Sequence, residues 1–192
     1  EVIPAQALSG EQLQRLNAHS VADAIRYFSG VQIKDYGGIG GLKTINVRGM
    51  GTQHVGVFYD GIQLGNAQNG QIDLGKYSLD NMAAVTLYNG QKSSGVQSAK
   101  DYASASAVYL RTRIPEFRDG KRHNLKLTLK GGSFGTVNPS VLYEQRLGER
   151  TSNSLNAEFL YTTGRYKFSY VKADGYDTTA VRQNGDVRAL RI

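Results

Sequence analysis

The chain has 192 residues, enough for one large domain or two small ones, and its 40% hydrophobic and 20% charged content supports a folded core. It contains no cysteine, which excludes disulfides and thiolate metal sites. The net charge is +7, yet Lys and Arg are spread along the chain rather than clustered, which argues against a nucleic-acid surface. No stretch approaches the roughly 20 apolar residues of a membrane helix. No charged-then-apolar signal segment opens the chain, so an exported protein would be numbered from after processing or from inside a longer chain.

In chain order, Ser9-Gly-Glu-Gln12 fits a capping box, and Leu13 and Leu16 give the helix behind it a short apolar side. Ser20 opens a second helix, with Val21, Ala24, Ile25 and Phe28 on one stripe, Asp23 in the first turn and Gly30 at the C-terminal stop. Val31–Ile33 alternates as a strand. Ile45–Val47 and Val55–Tyr59 are two further strands, and Asp60-Gly61 is a tight turn because both residues tolerate positive φ. Ser78 caps a short helical turn over Leu79–Ala83; Val85–Tyr88 is a strand and Asn89-Gly90 a turn. Residues 91–105 are Ser/Ala-rich with little pattern, and Ala107–Thr112 is again a strand. Composition changes after Pro115. His123–Lys130 alternates strictly, with Leu125, Leu127 and Leu129 on one face, and Val141–Leu147, Leu155–Tyr161, Tyr166–Val171 and Asp186–Ile192 follow. Alternating segments of about 10 residues carry the signature of transmembrane β-barrel strands, although an ordinary sheet with one wet face reads the same way. Residues 121–192 hold about four strands at that length, against roughly 22 in a plugged transporter barrel.

Three motifs invite chemistry. Gly37, Gly38, Gly40 and Gly41 form a glycine loop, but Leu42 stands before Lys43-Thr44 where a P-loop needs glycine, and a strand follows where a dinucleotide site needs a helix. The loop therefore reads as a connection between strands. Gly131-Gly-Ser133-Phe-Gly135 matches G-x-S-x-G, but no His follows Ser133 and the next run is a strand, so a nucleophile elbow is disfavoured. His19, His54 and His123 are too scattered for a local metal motif. The residues give no positive sign of an enzyme and call for no cofactor.

The segments SVADAIRYFSGVQI (Ser20–Ile33), DYGGIGG (Asp35–Gly41), TINVRG (Thr44–Gly49), VFYDGI (Val57–Ile62), DLGKYSLDNMAAVTLYNG (Asp73–Gly90) and SAVYLRTR (Ser106–Arg113) stand in the order and spacing of the plug domain of TonB-dependent outer-membrane receptors, which the chain resembles over about residues 8–113. It departs from the family where Ser29 replaces the usual Pro and where QKSSGVQSAKDYASASAVYL replaces a Gly-Pro, Tyr-Gly and Gly-Gly signature.

The resemblance implies an α+β plug domain, a small mixed sheet with short helices, over 1–113. Residues 114–192 would then be antiparallel β-strands of an incomplete transmembrane β-barrel. It implies a cell outer membrane location in a Gram-negative bacterium and uptake of a small-molecule nutrient such as a siderophore, cobalamin or haem. A TonB-type energy-coupling protein would grip a segment not seen in Glu1–Gly10. The segment after Asn89 lacks a pattern of glycan-importing relatives, which tilts the expectation toward a metal chelate or cofactor. By resemblance, ligand-facing positions are Tyr36, Thr52, Gln53, His54, Gln63, Asn66, Gln68 and Asn69, with Tyr36, His54 and Gln63 at one end of the unit, while Arg48 has a structural or gating role. Two other readings stay open on the residues alone: a secreted or periplasmic α+β interaction or adhesion module, and a hydrolase using Ser133. Strands 121–192 cannot close a barrel by themselves, and lipid contact for Leu125, Leu127, Leu129, Phe159 and Tyr161 would be lost in water, so self-association of this fragment is expected.

Overall fold

The computed structural model describes residues 5–16, 18–49, 51–65, 71–89, 106–118, 120–173, 175–183 and 185–192. The chain divides into two units, Glu1–Arg118 and Asp119–Ile192.

The first unit runs β1 (Ala5–Ser9), α1 (Glu11–Arg15), α2 (Val21–Ile25), β2 (Val31–Tyr36), β3 (Leu42–Val47), β4 (Val55–Tyr59), β5 (Ile62–Leu64), β6 (Met82–Asn89) and β7 (Ser106–Thr112), with 3₁₀ turns at Thr52–His54 and Leu74–Lys76. Its main sheet has the order β1-β6-β7-β4-β5. β4 and β7 pair in parallel and the other neighbours antiparallel, so the sheet is mixed as expected. β2 and β3 form a separate two-stranded ladder, from Val31 opposite Val47 to Tyr36 opposite Leu42. The apolar stripe of α2 fills the core: Val21, Ala24 and Ile25 are fully buried and Phe28 nearly so, clustered with Val47, Val85, Leu87, Val108 and Leu110. Each such side chain contributes about 1.5–3 kcal/mol on leaving water.

Local details differ from the sequence reading. α2 stops at Ile25, because Tyr27 and Phe28 donate to carbonyls three residues back rather than four, tightening the last turn before Gly30 at φ +76°. The capping box at Ser9 is half made: the Ser9 amide donates to Gln12 Oε1, but Ser9 itself belongs to β1, and Gly10 starts α1 without a side-chain cap. The Ser78 hydroxyl accepts from the Asp80 amide at 3.3 Å and the Met82 amide donates to the Leu79 carbonyl, a capped turn as expected. No helix forms over Leu79–Ala83, however, since β6 claims Met82 and Ala83; a second capped turn lies earlier, at Leu74–Lys76, with the Asp73 side chain accepting from the Gly75 amide. The Asp60-Gly61 turn is as expected, with φ +48° and +84°, and it joins β4 to β5 directly. Asp60 also ties the turn to β7, accepting from the Thr112 amide at 2.8 Å and from the Thr112 hydroxyl. The Asn89-Gly90 turn and the Ser/Ala-rich stretch lie outside the described residues.

The second unit holds β8 (His123–Gly132), β9 (Thr136–Arg146), β10 (Ser152–Thr162), β11 (Lys167–Val171), β12 (Asp177–Val181) and β13 (Val187–Arg191). These are six strands rather than about four. Four make an antiparallel sheet in the order β13-β10-β9-β8, and β11 and β12 make a hairpin of their own. β12 escapes a reading by pattern because Asp177-Thr-Thr-Ala-Val181 has no large apolar alternation. β9 begins at Thr136 rather than Val141; Asn138 and Pro139 look like turn residues, but the register places Pro139 opposite Leu129 inside the ladder. At the junction of sheet and hairpin, Gly164 (φ +58°) lies so close to Gly185 that a Cβ on it would sit 2.0 Å from the Gly185 carbonyl oxygen. Only glycine fits that crossing.

Candidate functional site

In the first unit the glycine loop hangs on an ionic knot. Lys43 Nζ meets Asp23 Oδ1 at 3.1 Å, with side-chain exposures of only 10% and 20%. Asp23 also accepts from the Ser20 hydroxyl at 3.0 Å and the His19 amide at 3.3 Å. Burial works to raise the Asp23 carboxyl, but the Lys43 charge and these hydrogen bonds outweigh it and hold the group below the usual carboxylate range. The Lys43 amide donates to Asp73 Oδ1 at 3.0 Å, the same oxygen that caps the Leu74–Lys76 turn. Within the loop, the Gly38 amide donates to Asp35 Oδ1 and the Gly41 amide to the Gly38 carbonyl. Those two amides are committed internally, which fits a strand connection rather than an anion cradle.

Tyr36 stands at the loop end of the β2–β3 ladder and is exposed. Thr52, Gln53 and His54 form the 3₁₀ turn beyond the other end of β3, where the Gly51 amide donates to Asn46 Oδ1 at 2.9 Å. Six residues of strand separate the two ends, about 17 Å of rise. Gln71 Nε2 donates to Thr52 Oγ1 at 3.1 Å, so the 3₁₀ turn meets the chain just past the polar loop. Gln63 lies exposed on edge strand β5, opposite Phe58. Asn66, Gln68 and Asn69 lie outside the described residues. The ladder thus sets Tyr36 apart from Thr52–His54 along β3, so the expectation that Tyr36 and His54 share one end of the unit is not met, and Thr52 meets Gln71 instead. Arg48 follows β3 with φ +50°, its amide donating to the Gly30 carbonyl and its side chain exposed.

In the second unit the four-stranded sheet wears its apolar face outward. Leu125, Leu127 and Leu129 are 64%, 73% and 74% exposed. Val137, Leu155, Phe159 and Leu190 share that side and are also exposed. On the opposite face Thr136, Asn138, Glu144, Glu158 and Thr162 are buried, with Leu142 and Leu160 among them. Glu158 Oε1 accepts from Asn138 Nδ2 and from Arg191 Nη1, each at 2.9 Å. Glu144 Oε2 accepts from Asn124 Nδ2 at 3.0 Å. The alternation already carried this polar wall; its carboxylate and amide pairings required the cross-strand register. A sheet with a bare aliphatic side and a covered, largely polar side has the alternation of transmembrane β-barrel strands.

Sequence reasoning missed a row of exposed rings that runs from the β8–β9 turn onto the hairpin. Phe134, Tyr166, Phe168 and Tyr170 follow one another at centroid distances of 5.7, 6.3 and 5.9 Å. The Arg182 guanidinium lies 5.5 Å over Tyr166 and donates to its hydroxyl at 3.0 Å. Such a row offers π faces and a cation to a flat or anionic guest. Ser133, by contrast, sits in the β8–β9 turn, a strand–turn–strand context rather than a nucleophile elbow, and the Thr136 hydroxyl donates to its carbonyl.

A mixed α+β unit followed by antiparallel strands with an outward apolar face is the architecture of a plugged outer-membrane β-barrel, here with the barrel unclosed. Residues 2–109 match the TonB-dependent Receptor Plug Domain family, and the chain belongs to that family. Solved structures share the fold. The siderophore receptor PirA from Acinetobacter baumannii is 16% identical with a TM-score of 0.62, over 83% of this chain and 25% of that one. The FrpB iron transporter from Neisseria meningitidis is 13% identical with a TM-score of 0.65, over 91% and 27%. The copper transporter OprC is 15% identical with a TM-score of 0.63, over 90% and 25%. This chain therefore spans about a quarter of the length of the receptors it matches. The family is one of receptors and transporters, not of enzymes.

Proposed function

We propose that the chain is the plug, residues 1–113, and the first barrel strands, residues 114–192, of an outer-membrane receptor for uptake of a scarce metal chelate or cofactor. The observation that carries this reading is the reversed sheet, with leucines bare and Glu158 buried in an ion pair with the partly covered Arg191, attached to a plug-family unit. Energy would come from a TonB-type partner. The siderophore, iron and copper named for the solved neighbours favour a metal or metal chelate. In this reading Tyr36, Thr52, Gln53, His54, Gln63, Asn66, Gln68 and Asn69 supply hydrogen-bonding groups toward the ligand, the ring row of Phe134, Tyr166, Phe168 and Tyr170 supplies stacking faces, and Arg48 has a gating role. Loops on a rigid scaffold are where such contacts concentrate.

The test is a deletion strain grown under metal limitation and supplied with labelled ferric chelates, copper, haem and cobalamin in turn, with fractionation of the native protein. Loss of uptake of one ligand and recovery in the outer-membrane fraction are expected. Unchanged uptake of all of them, or recovery in the soluble fraction, refutes the reading. In the complete receptor, replacing Tyr36, His54 and Gln63 together by Ala should weaken ligand binding without loss of folding; unaltered affinity removes them from the site.

A further inference from the structure

The outward face of the four-stranded sheet ends in a basic groove. Register places Leu190 opposite Phe159, and two residues further along the same face Arg188 opposite Tyr161. Arg188 lies over the ring there, its guanidinium carbon 5.8 Å from the Tyr161 ring centroid. β10 then stops, and the close crossing of Gly164 and Gly185 turns the chain into the hairpin. Beside that crossing opens a groove of about 490 Å³, whose walls include Tyr161, Thr163, Arg165, Gln183, Asp186 and Arg188. Two guanidinium groups face one carboxylate among the lining residues, so the groove is net cationic.

The chemistry narrows the guest. The Thr163 hydroxyl donates to the Phe134 carbonyl, so the donors left for a guest are chiefly those of Arg165, Arg188 and the Gln183 amide. A guanidinium held over a phenol ring by a cation–π contact still has N–H groups for an oxyanion, and a forked donor fits the oxygens of a phosphate. Continuity with the bare Phe159 and Leu190 decides what carries that phosphate. A lipid could seat its head group among the arginines while its chains run down the apolar face, gaining both terms at once. A free anion would gain only the first. We propose that this groove binds the phosphate of a membrane lipid, Arg165 and Arg188 gripping the head group and Phe159 and Leu190 flanking the acyl chains. The inference rests on the membrane reading above.

The experiment uses the full-length chain in detergent, with native mass spectrometry titrations of monophosphoryl lipid A, of the same lipid after phosphatase treatment, and of inorganic phosphate as competitor. The phosphorylated lipid should bind more tightly than its dephosphorylated form and resist millimolar phosphate. The double variant Arg165→Gln, Arg188→Gln should lose about tenfold in affinity for the phosphorylated lipid and show no change for the dephosphorylated one. Asp186→Asn, which removes the opposing carboxylate, should tighten the phosphorylated lipid several-fold, an effect of opposite sign that misfolding would not produce. Equal binding of both lipids, an unchanged double variant, an Asp186→Asn variant that does not tighten, or full displacement by inorganic phosphate would each overturn the proposal. A soluble location of the native protein would instead sink the membrane reading, which fractionation reads separately.

Discussion

Replacing Lys43 by Met tests the ionic knot beneath the glycine loop. The substitution keeps the buried methylenes and removes the ammonium that lies 3.1 Å from Asp23. Asp23 is then left 80% enclosed with only the Ser20 hydroxyl, the His19 amide and, at 4.0 Å, the exposed Arg26. Stripping one partner from a fully buried pair costs about 3–5 kcal/mol. Because Asp23 keeps two donors and some water, we expect about 2 kcal/mol at neutral pH, or roughly 8 °C in Tm for a unit of this size. The pH dependence gives the test its edge. Asp23 is held below its ordinary range when folded, so its stabilising contribution is full above about pH 4 and is lost as pH falls through the folded pKa. In the variant, burial works with little opposition and drives the carboxyl upward, so its deficit should shrink as Asp23 protonates in both proteins. Urea unfolding of residues 1–118, followed by circular dichroism at pH 7 and pH 3, measures both. An undiminished midpoint at pH 7, or an equal deficit at both pH values, refutes the assignment.

Other expected outcomes follow from the geometry. Gly164→Ala would drive a Cβ into the Gly185 carbonyl, so hydrogen exchange should lose protection over β11 and β12, whereas Gly175→Ala, strained in φ but facing open space, should cost only about 1 kcal/mol. Equal effects would show that the close crossing is not what glycine serves. Asp60→Ala removes two bonds to Thr112 and a residue tolerant of φ +48°, for about 2 kcal/mol by denaturant unfolding; a loss under about 0.5 kcal/mol would mean the turn holds without them. The 192-residue chain in water should self-associate through strand edges and bare leucines, and light scattering that finds a strict monomer with protected strands would contradict this.

What was legible in the sequence was what neighbouring residues decide. Val55–Tyr59 and Asp60-Gly61 needed only β-branched and aromatic side chains and two residues at ease with positive φ. The stripe Val21, Ala24, Ile25 and Phe28 announced its buried side, and Leu125–Leu129 announced a face. Ala5–Ser9 was illegible because Ala-Gln-Ala-Leu-Ser has no strand pattern and becomes β1 by pairing with β6. Ser78 was legible as a cap, accepting from the Asp80 amide at 3.3 Å, but β6 takes over at Met82 and keeps the turn from becoming a helix, while Asp73 caps a second turn that the Lys43 amide helps to place. The candidate ligand residues were legible as polar loop positions, and chain order alone already puts the Tyr36 loop before β3 and Thr52–His54 after it; what the sequence hides is which of them the fold brings together. The ring row from Phe134 to Tyr170 and the groove at Arg188 depend on strands that meet only in three dimensions.

The two units place opposite demands on solvent. The first hides Ile25, Leu74, Leu87 and Leu110 and leaves charged residues such as Glu11 and Arg15 outside, the order that water imposes. The second leaves Leu125, Leu127, Leu129, Phe159 and Leu190 bare and buries Glu158 against Arg191. Covering those five side chains with hydrocarbon gains about 1.5–3 kcal/mol each, whereas detergent offers the first unit no comparable surface. Adding micelles should therefore raise hydrogen-exchange protection across residues 123–162 and leave the amides of α2 and β6 unchanged. If the two units respond alike, the outward leucines are not a lipid face, and the reversed sheet loses its physical explanation.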